Sequence, residues 1–435
     1  MQNNKITYTL FIDDELKEFK SEIEYVFDFV DEYYDTVRVA DSINAVFYGN
    51  NKTTLISNQK TVPTSNFWGL LDVSLNGIFL NGSGSDLENF ILPCVENKDN
   101  THPFDYVSII FFFLSRIEER GAVNLDKYFR FRSEDSFSVK NNFEKRAIVD
   151  ECSLELAKII RDEDNPDQTS FFEFIPTHDM DRLKGYHHPF ETIRYFLGDI
   201  FRRRKSINTS FNRIRNSYLS GEPWKQIEFL MDVAESNNII SRFFFMGPSD
   251  DVMDSPYVTR YKSLLIKVID EIKKRGHLVG FHPGYGTFNN GDKWKLQKNG
   301  LEEVVNTTFD IGRQHILQYS ADSTPKIWND NEMKVDYTLM YPELIGFRSG
   351  TSREYNSYDL VNRKKLKLRQ VNTLVMDTGI FGGKYKDMSL ELAVDETLEV
   401  IDVCKRYGGK AVILIHPAYM SDIEMEFYKK ITNSL

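Results

Sequence analysis

The chain has 435 residues, 41% hydrophobic and 27% charged, a globular composition too long for one ordinary core. Its formal net charge of −11 argues against a nucleic-acid partner. Cys94, Cys152 and Cys404 are odd in number, widely spaced and without a Cys-x-x-Cys, so they supply no disulfide framework and no thiolate zinc site.

No basic region followed by a long apolar run opens the sequence at Met1 to Asp14, so no signal peptide is expected and the cysteines read as reduced thiols of a cytoplasmic protein. Residues 5–12 alternate as a strand, and 15–29 follow as a helix. Residues 35–95 read as short strands separated by Asn, Gly and Ser clusters. A helix is expected over 103–120, whose apolar stretch around Val107 to Leu114 is too short to span a bilayer. The polar stretch 121–150 then leads out of a small α+β accessory domain, residues 1–150, with its boundary between 135 and 165.

From 171 the pattern changes. Strands are expected at 171–177, 239–246, 277–282, 314–319, 345–348, 372–377 and 411–416. Helices are expected at 224–236, 257–275, 299–312, 324–332 and 389–407. Lys273-Lys-Arg-Gly276 and Arg406-Tyr-Gly-Gly409 are helix endings, basic in the last turn with glycine after it. Such alternation implies a parallel sheet, and about seven strands suggest a distorted (β/α) barrel over residues 151–435.

Barrel chemistry sits at the C-terminal ends of strands, and polar groups gather there. The apolar run from Phe171 to Ile175 ends in Thr177, His178, Asp179 and Asp181. Asp179 and Asp181 are two apart, so an extended chain points both the same way. One carboxylate can then hold a metal while the other acts as a base, and the plain alternative is a strand end with a helix cap. Later ends carry His282-Pro283-Gly-Tyr285, Arg313-Gln-His315, Arg348-Ser-Gly-Thr351, Asp377-Thr-Gly379 and His416-Pro417. One histidine after an apolar run is more often structural than functional; the repetition weighs against that here. Asp and His ligands suit zinc or a similar divalent ion. A second Asp to take a water proton, an Arg to favour its ionised form and a His to protonate a leaving amine complete the set for metal-assisted amide or ester hydrolysis.

In this order the segments resemble the motifs of the polysaccharide deacetylases, carbohydrate esterase family 4 and its chitooligosaccharide deacetylase relatives. Thr177-His-Asp-Met-Asp181 is similar to the first motif, and His282 to the first histidine of a His-x-x-x-His motif. Gly346-Phe-Arg-Ser-Gly350, Asp377-Thr-Gly379 and Leu414-Ile-His-Pro417 are similar to the later ones. The resemblance spans residues 170–435 and implies Asp179 as base, Arg348 as its partner, His416 as acid and Asp181 and His282 as ligands of a divalent metal, zinc first. Tyr285 and Asp377 are expected to bind substrate, with Tyr355 also near the groove. The implied reaction removes an N-acetyl or other N-acyl group from an amino-sugar glycan or its precursor, and the lack of a visible signal peptide places the expected work in the cytoplasm. Phe111 to Glu119 and Asp126 to Phe131 resemble the N-terminal extension of a bacterial subgroup.

One departure stands out: the second metal histidine belongs four residues after His282, where Gly286 lies. His315, in the next expected strand, is the substitute, since His178 should face away from Asp179 and Asp181. Gly286 leaves two alternatives open, a metal-independent amidohydrolase on a small amide and a non-catalytic glycan-binding protein. The basic stretch 194–218 reads as a solvated insertion helix or as a lid or patch for an anionic glycan or membrane surface. Trp224, Trp294 and Trp328 suit either sugar stacking or core packing.

Overall fold

The structure is a computed structural model that describes residues 5–49, 59–74, 76–81, 84–96, 104–183, 223–382, 388–418 and 420–435, with isolated positions between 193 and 211. The basic stretch 194–218 lies outside the described residues except at those positions.

In the N-terminal third, β1 (Ile6–Ile12), β2 (Thr36–Arg38), β3 (Ala45–Tyr48) and β4 (Gln59–Val62) form a parallel sheet in the order β2-β1-β3-β4. β5 (Leu71–Ser74) and β6 (Gly77–Leu80) make a separate antiparallel hairpin. The first α-helix spans Lys20–Tyr34, later than expected, because the Asp13 side chain caps a 3-10 turn over Asp14–Phe19. Tyr106–Ser115 is buried on every side, which its unbroken apolar sequence requires.

The second sheet contains β7 (Glu173–Met180), β8 (Arg242–Met246), β9 (Leu278–His282), β10 (Ile311–Gly312), β11 (Val335–Asp336), β12 (Tyr355–Asp359), β13 (Lys364–Gln370), β14 (Thr373–Met376) and β15 (Lys410–Leu414). Their order is β12-β13-β11-β10-β9-β8-β7-β15-β14, parallel throughout except for the β12–β13 hairpin. β13 and β14 stand near opposite ends of that order, yet only Val371 and Asn372 separate them in sequence. The sheet must therefore curl back on itself. Ile175, Phe244, Tyr337, Val371 and Val412 fill its interior. Gly280 is needed there, since a Cβ would lie 2.5 Å from the Ile311 carbonyl oxygen and 2.7 Å from the Phe244 ring. Outside, the helices Trp224–Ser236, Lys262–Lys274 and Gly291–Val305 pack apolar stripes onto Phe243, Phe245 and Phe281.

Among the described residues nine strands stand where about seven were expected. No strand forms at 314–319, because β10 stops at Gly312 and the chain turns through Ile316 and Leu317, both at φ 58°. The stretch 345–348 is no strand either; Gly346 at φ 151° and Gly350 at φ 64° fold it into turns. Trp294 and Trp328 are fully buried with ring centroids 5.6 Å apart, and Tyr355 is 2% exposed. These three are core residues, not groove surfaces.

The N-terminal third and the curled sheet share one core. Tyr25, Phe29, Ile110 and Phe111 cluster with Tyr319, Leu339, Tyr355, Tyr358 and Leu360. The Tyr25 hydroxyl donates to the Asn356 carbonyl at 2.7 Å, and Tyr33 donates to that of Glu354 at 2.5 Å.

Candidate functional site

Strand alternation divides the end of β7 between two faces. Thr177 and Asp179 face inward, where one guanidinium, that of Arg313, donates to both at 2.8 Å. His178 faces outward onto Phe243, ring centroids 4.6 Å apart, with Nδ1 3.2 Å from the Ile415 carbonyl. Burial outweighs that hydrogen bond and pulls the His178 pKa down to about 3. His178 is a neutral packing residue.

Asp181 follows β7 on the Asp179 side. Its Oδ1 lies 3.4 Å from His282 Nε2 and 3.9 Å from His315 Nε2, and ligand atoms of all three residues fall within 4.8 Å of one another. Each imidazole is oriented from behind: His282 Nδ1 donates to the Arg313 carbonyl at 2.6 Å, and His315 Nδ1 to Asp254 Oδ1 at 2.7 Å. Both Nε2 lone pairs are thereby turned to the site. Asp254 is itself fixed by the Ser249 hydroxyl at 2.6 Å and the Tyr285 N–H at 2.8 Å. Asp181 Oδ1 and His282 Nε2 are buried without a hydrogen-bond partner. Two orphaned donor atoms facing each other beside a third are what a cation satisfies, and one carboxylate with two imidazoles suits zinc. Burial alone would raise the Asp181 pKa, but His282, His416 and His315 bring it down. Burial would lower that of His282, but Asp179 and Asp181 raise it.

His416 approaches from the opposite wall, just past β15, with Nε2 4.0 Å from Asp181 Oδ2. Its Nδ1 donates to Asp377 Oδ1 at 2.7 Å and its backbone N–H to Oδ2 at 2.7 Å. Burial opposes its charged form; Asp377, with Asp181 and Asp179 behind it, prevails and pushes the pKa up to about 10. The ring is held as a proton donor.

The fold thus gathers Asp179, Asp181, His282, His315, His416 and Asp377. Asp377 is 1% exposed and bonds His416 and the Thr378 N–H, so it positions the imidazole. Tyr285 is half-buried beside Asp254, and its carbonyl accepts Lys293 Nζ at 2.7 Å. Arg348 is not at Asp179. Its guanidinium forks onto Glu119 at 2.9 and 2.7 Å and donates to the Met340 carbonyl at 3.1 Å. The turns at Gly346 and Gly350 aim it toward the N-terminal third, and Arg313 takes the place beside Asp179. Gly286 has φ 71°, a conformation that side chains seldom adopt, and its N–H donates to Gln318 Oε1 at 2.7 Å.

Asp254 was not foreseen as a site residue, and Arg313 was named only within the cluster Arg313-Gln-His315, without a role. The only sequence signal for Arg313 was its place two residues before His315. Asp254 lies in a loop after β8 that follows no period.

A family of unknown function (DUF7033) matches residues 15–165. No curated protein matches the chain. Among solved structures, the chain is similar to a protein provisionally assigned as a polysaccharide deacetylase from Mycobacterium smegmatis, at 18% identity and TM-score 0.40, over 62% of this chain and 85% of that one. It is also similar to a family 4 carbohydrate esterase from Streptomyces lividans, at 10% identity and TM-score 0.29, over 61% and 88%. A third likeness is to a CE4 family pseudoenzyme from Bacillus anthracis, at 12% identity and TM-score 0.29, over 48% and 55%. At these scores the functional reading rests on the residues of this chain. Among the described residues no helix is long and apolar enough to cross a membrane.

Proposed function

We propose that the chain hydrolyses an N-acyl group, N-acetyl first, on an amino-sugar unit of a glycan or glycan precursor, with a divalent cation, zinc first, held by Asp181, His282 and His315. The observation that carries this reading is the arrangement of a carboxylate and an imidazolium on opposite walls of one Asp/His/His donor set, with His282 Nε2 3.8 Å from Asp179 Oδ2 and His416 Nε2 4.0 Å from Asp181 Oδ2. When bound, the cation supplies Lewis-acid polarisation of the acyl oxygen.

The chain's own groups do the proton work. Asp179 accepts a proton from the attacking water, and Arg313 fixes that carboxylate from inside the barrel. His416 gives a proton to the departing amine nitrogen. Asp377 holds its Nδ1–H, so that Nε2 carries the transferable proton. Burial of Asp179, 3% exposed, strengthens each of these electrostatic contacts.

Acetate release from N-acetylated chitooligosaccharides, with chelator and then with added zinc, tests the reading. Turnover is expected to stop with chelator and return with zinc. Asp179→Asn, which strands the buried Arg313 charge and so lowers stability, is expected to abolish it in the folded fraction while metal content stays intact. Acetate release that survives both the chelator and Asp179→Asn sinks the assignment.

A further inference from the structure

Residues 125–131 belong to the segment matched by the family of unknown function, yet they grip the loop that carries His315. Leu125 and Phe131 form an antiparallel bridge. Inside it, one Asp126 oxygen accepts the backbone N–H groups of Tyr128 at 2.8 Å and Arg130 at 2.9 Å, and the other accepts Arg130 Nε at 2.8 Å. The guanidinium is therefore fixed before it reaches the barrel. Arg130 Nη1 then donates to the Ile316 carbonyl at 3.1 Å. A second bond runs from Gln318 Nε2 to the Tyr128 carbonyl at 2.9 Å, and Gln318 Oε1 in turn holds the Gly286 N–H.

These bonds fall where the backbone is least at ease. Ile316 and Leu317 both have φ 58°, and a β-branched residue is a marked outlier there. Strained backbone persists only where its surroundings over-determine it. Relaxation of this turn would swing His315, the adjacent residue, away from Asp254 and Asp181.

We propose that the 125–131 hairpin is a clamp that positions His315, so that the N-terminal region completes the metal centre of the barrel. The inference rests on the cation reading above. Arg130 acts here as a positioning residue, through Ile316 and not on the ion.

The test is the Co2+ and Zn2+ affinity of the full chain, read by competition with a chromophoric chelator, together with the melting temperature of each metal-free variant. Arg130→Met is expected to weaken binding about 10- to 100-fold, the usual effect of losing a group behind a ligand, at nearly unchanged melting temperature. Its Co2+ visible spectrum should move toward that of His315→Ala, and Arg130→Lys, which keeps one donor, should recover part of the affinity. Arg161→Met, which removes a different N-terminal anchor, the bond to the Tyr34 carbonyl at 3.0 Å, should bind like wild type. If Arg130→Met does not fold, Gln318→Met cuts the second bond, together with the one from the Gly286 N–H, leaves the Arg130 bond in place and carries the same expectation. Equal affinity in wild type and the clamp variants overturns the clamp and leaves the metal centre standing. A wild type that binds neither ion overturns the metal centre and the clamp together.

Discussion

Arg313 is wholly buried, and its hydrogen bonds run to Asp179, Thr177, Thr373 and the Tyr337 carbonyl, with the Phe244 ring 5.2 Å from its guanidinium carbon. Arg348 is as deeply buried, but it is spent on Glu119, where Arg116 approaches from the other side. Burial alone would raise the Glu119 pKa; Arg348 and Arg116 lower it instead. Both arginines belong to buried ion pairs, and removing one partner of such a pair costs about 3–5 kcal/mol because the other charge is stranded. Arg313→Met and Arg348→Met should therefore both lower the denaturant midpoint, Arg348→Met by less because Glu119 keeps Arg116 at 2.7 Å. Their kinetics should separate: Arg313→Met leaves Asp179 unheld and should cut kcat at least tenfold in the folded fraction, whereas Arg348→Met should leave kcat near wild type. A loss of kcat in Arg348→Met with Arg313→Met unaffected would return the base-holding role to Arg348.

At the scale of single elements, β7 and β15 were readable because each is a buried apolar run stopped abruptly by polar residues, the pattern a parallel strand imposes. β10 and β11 are two residues each, too short to express any period. β13, Lys364–Gln370, does alternate, but its outward positions are lysines and an arginine, so its charge hid a half-exposed strand. The motif resemblance placed Arg348 in sequence but could not say where two positive-φ glycines would aim it. The alternation of β7 yields a further prediction on its outer face. His178 is fully buried, with a pKa near 3 against an ordinary 6.5. Between those values the unfolded chain binds a proton that the folded one refuses. Stability present above pH 6.5 is thus lost as pH falls toward 3, by up to about 1.4 kcal/mol per pH unit. His178→Asn keeps an N–H for the Ile415 carbonyl and removes the titration. Its stability between pH 6.5 and 4, from denaturant titrations, should fall less steeply than that of wild type, and identical slopes would refute the assignment.

For the molecule as a whole, the shared core sets what can fold alone. The N-terminal third covers Tyr319, Leu339, Tyr355, Tyr358 and Leu360 of the region that carries the curled sheet. Ion pairs seal the edges of that contact: Arg369 with Glu32 at 2.6 Å, Arg363 with Glu22 at 2.8 Å and Arg348 with Glu119 at 2.7 Å. Arg120 adds a hydrogen bond to the Leu360 carbonyl at 3.0 Å and an ion pair with Asp322 at 2.6 Å. Exposing such side chains costs about 1.5–3 kcal/mol each, so baring this face removes on the order of 10 kcal/mol, comparable with the whole stability of an ordinary folded protein. A fragment of residues 166–435 would also leave Arg348 without Glu119, and His315 without the 125–131 hairpin. It should fail to melt cooperatively by circular dichroism and should aggregate, while the intact chain unfolds in a single transition. A soluble 166–435 fragment with a sharp melting transition would mean that the curled-sheet region is self-sufficient and that the contact between the two regions serves the site alone.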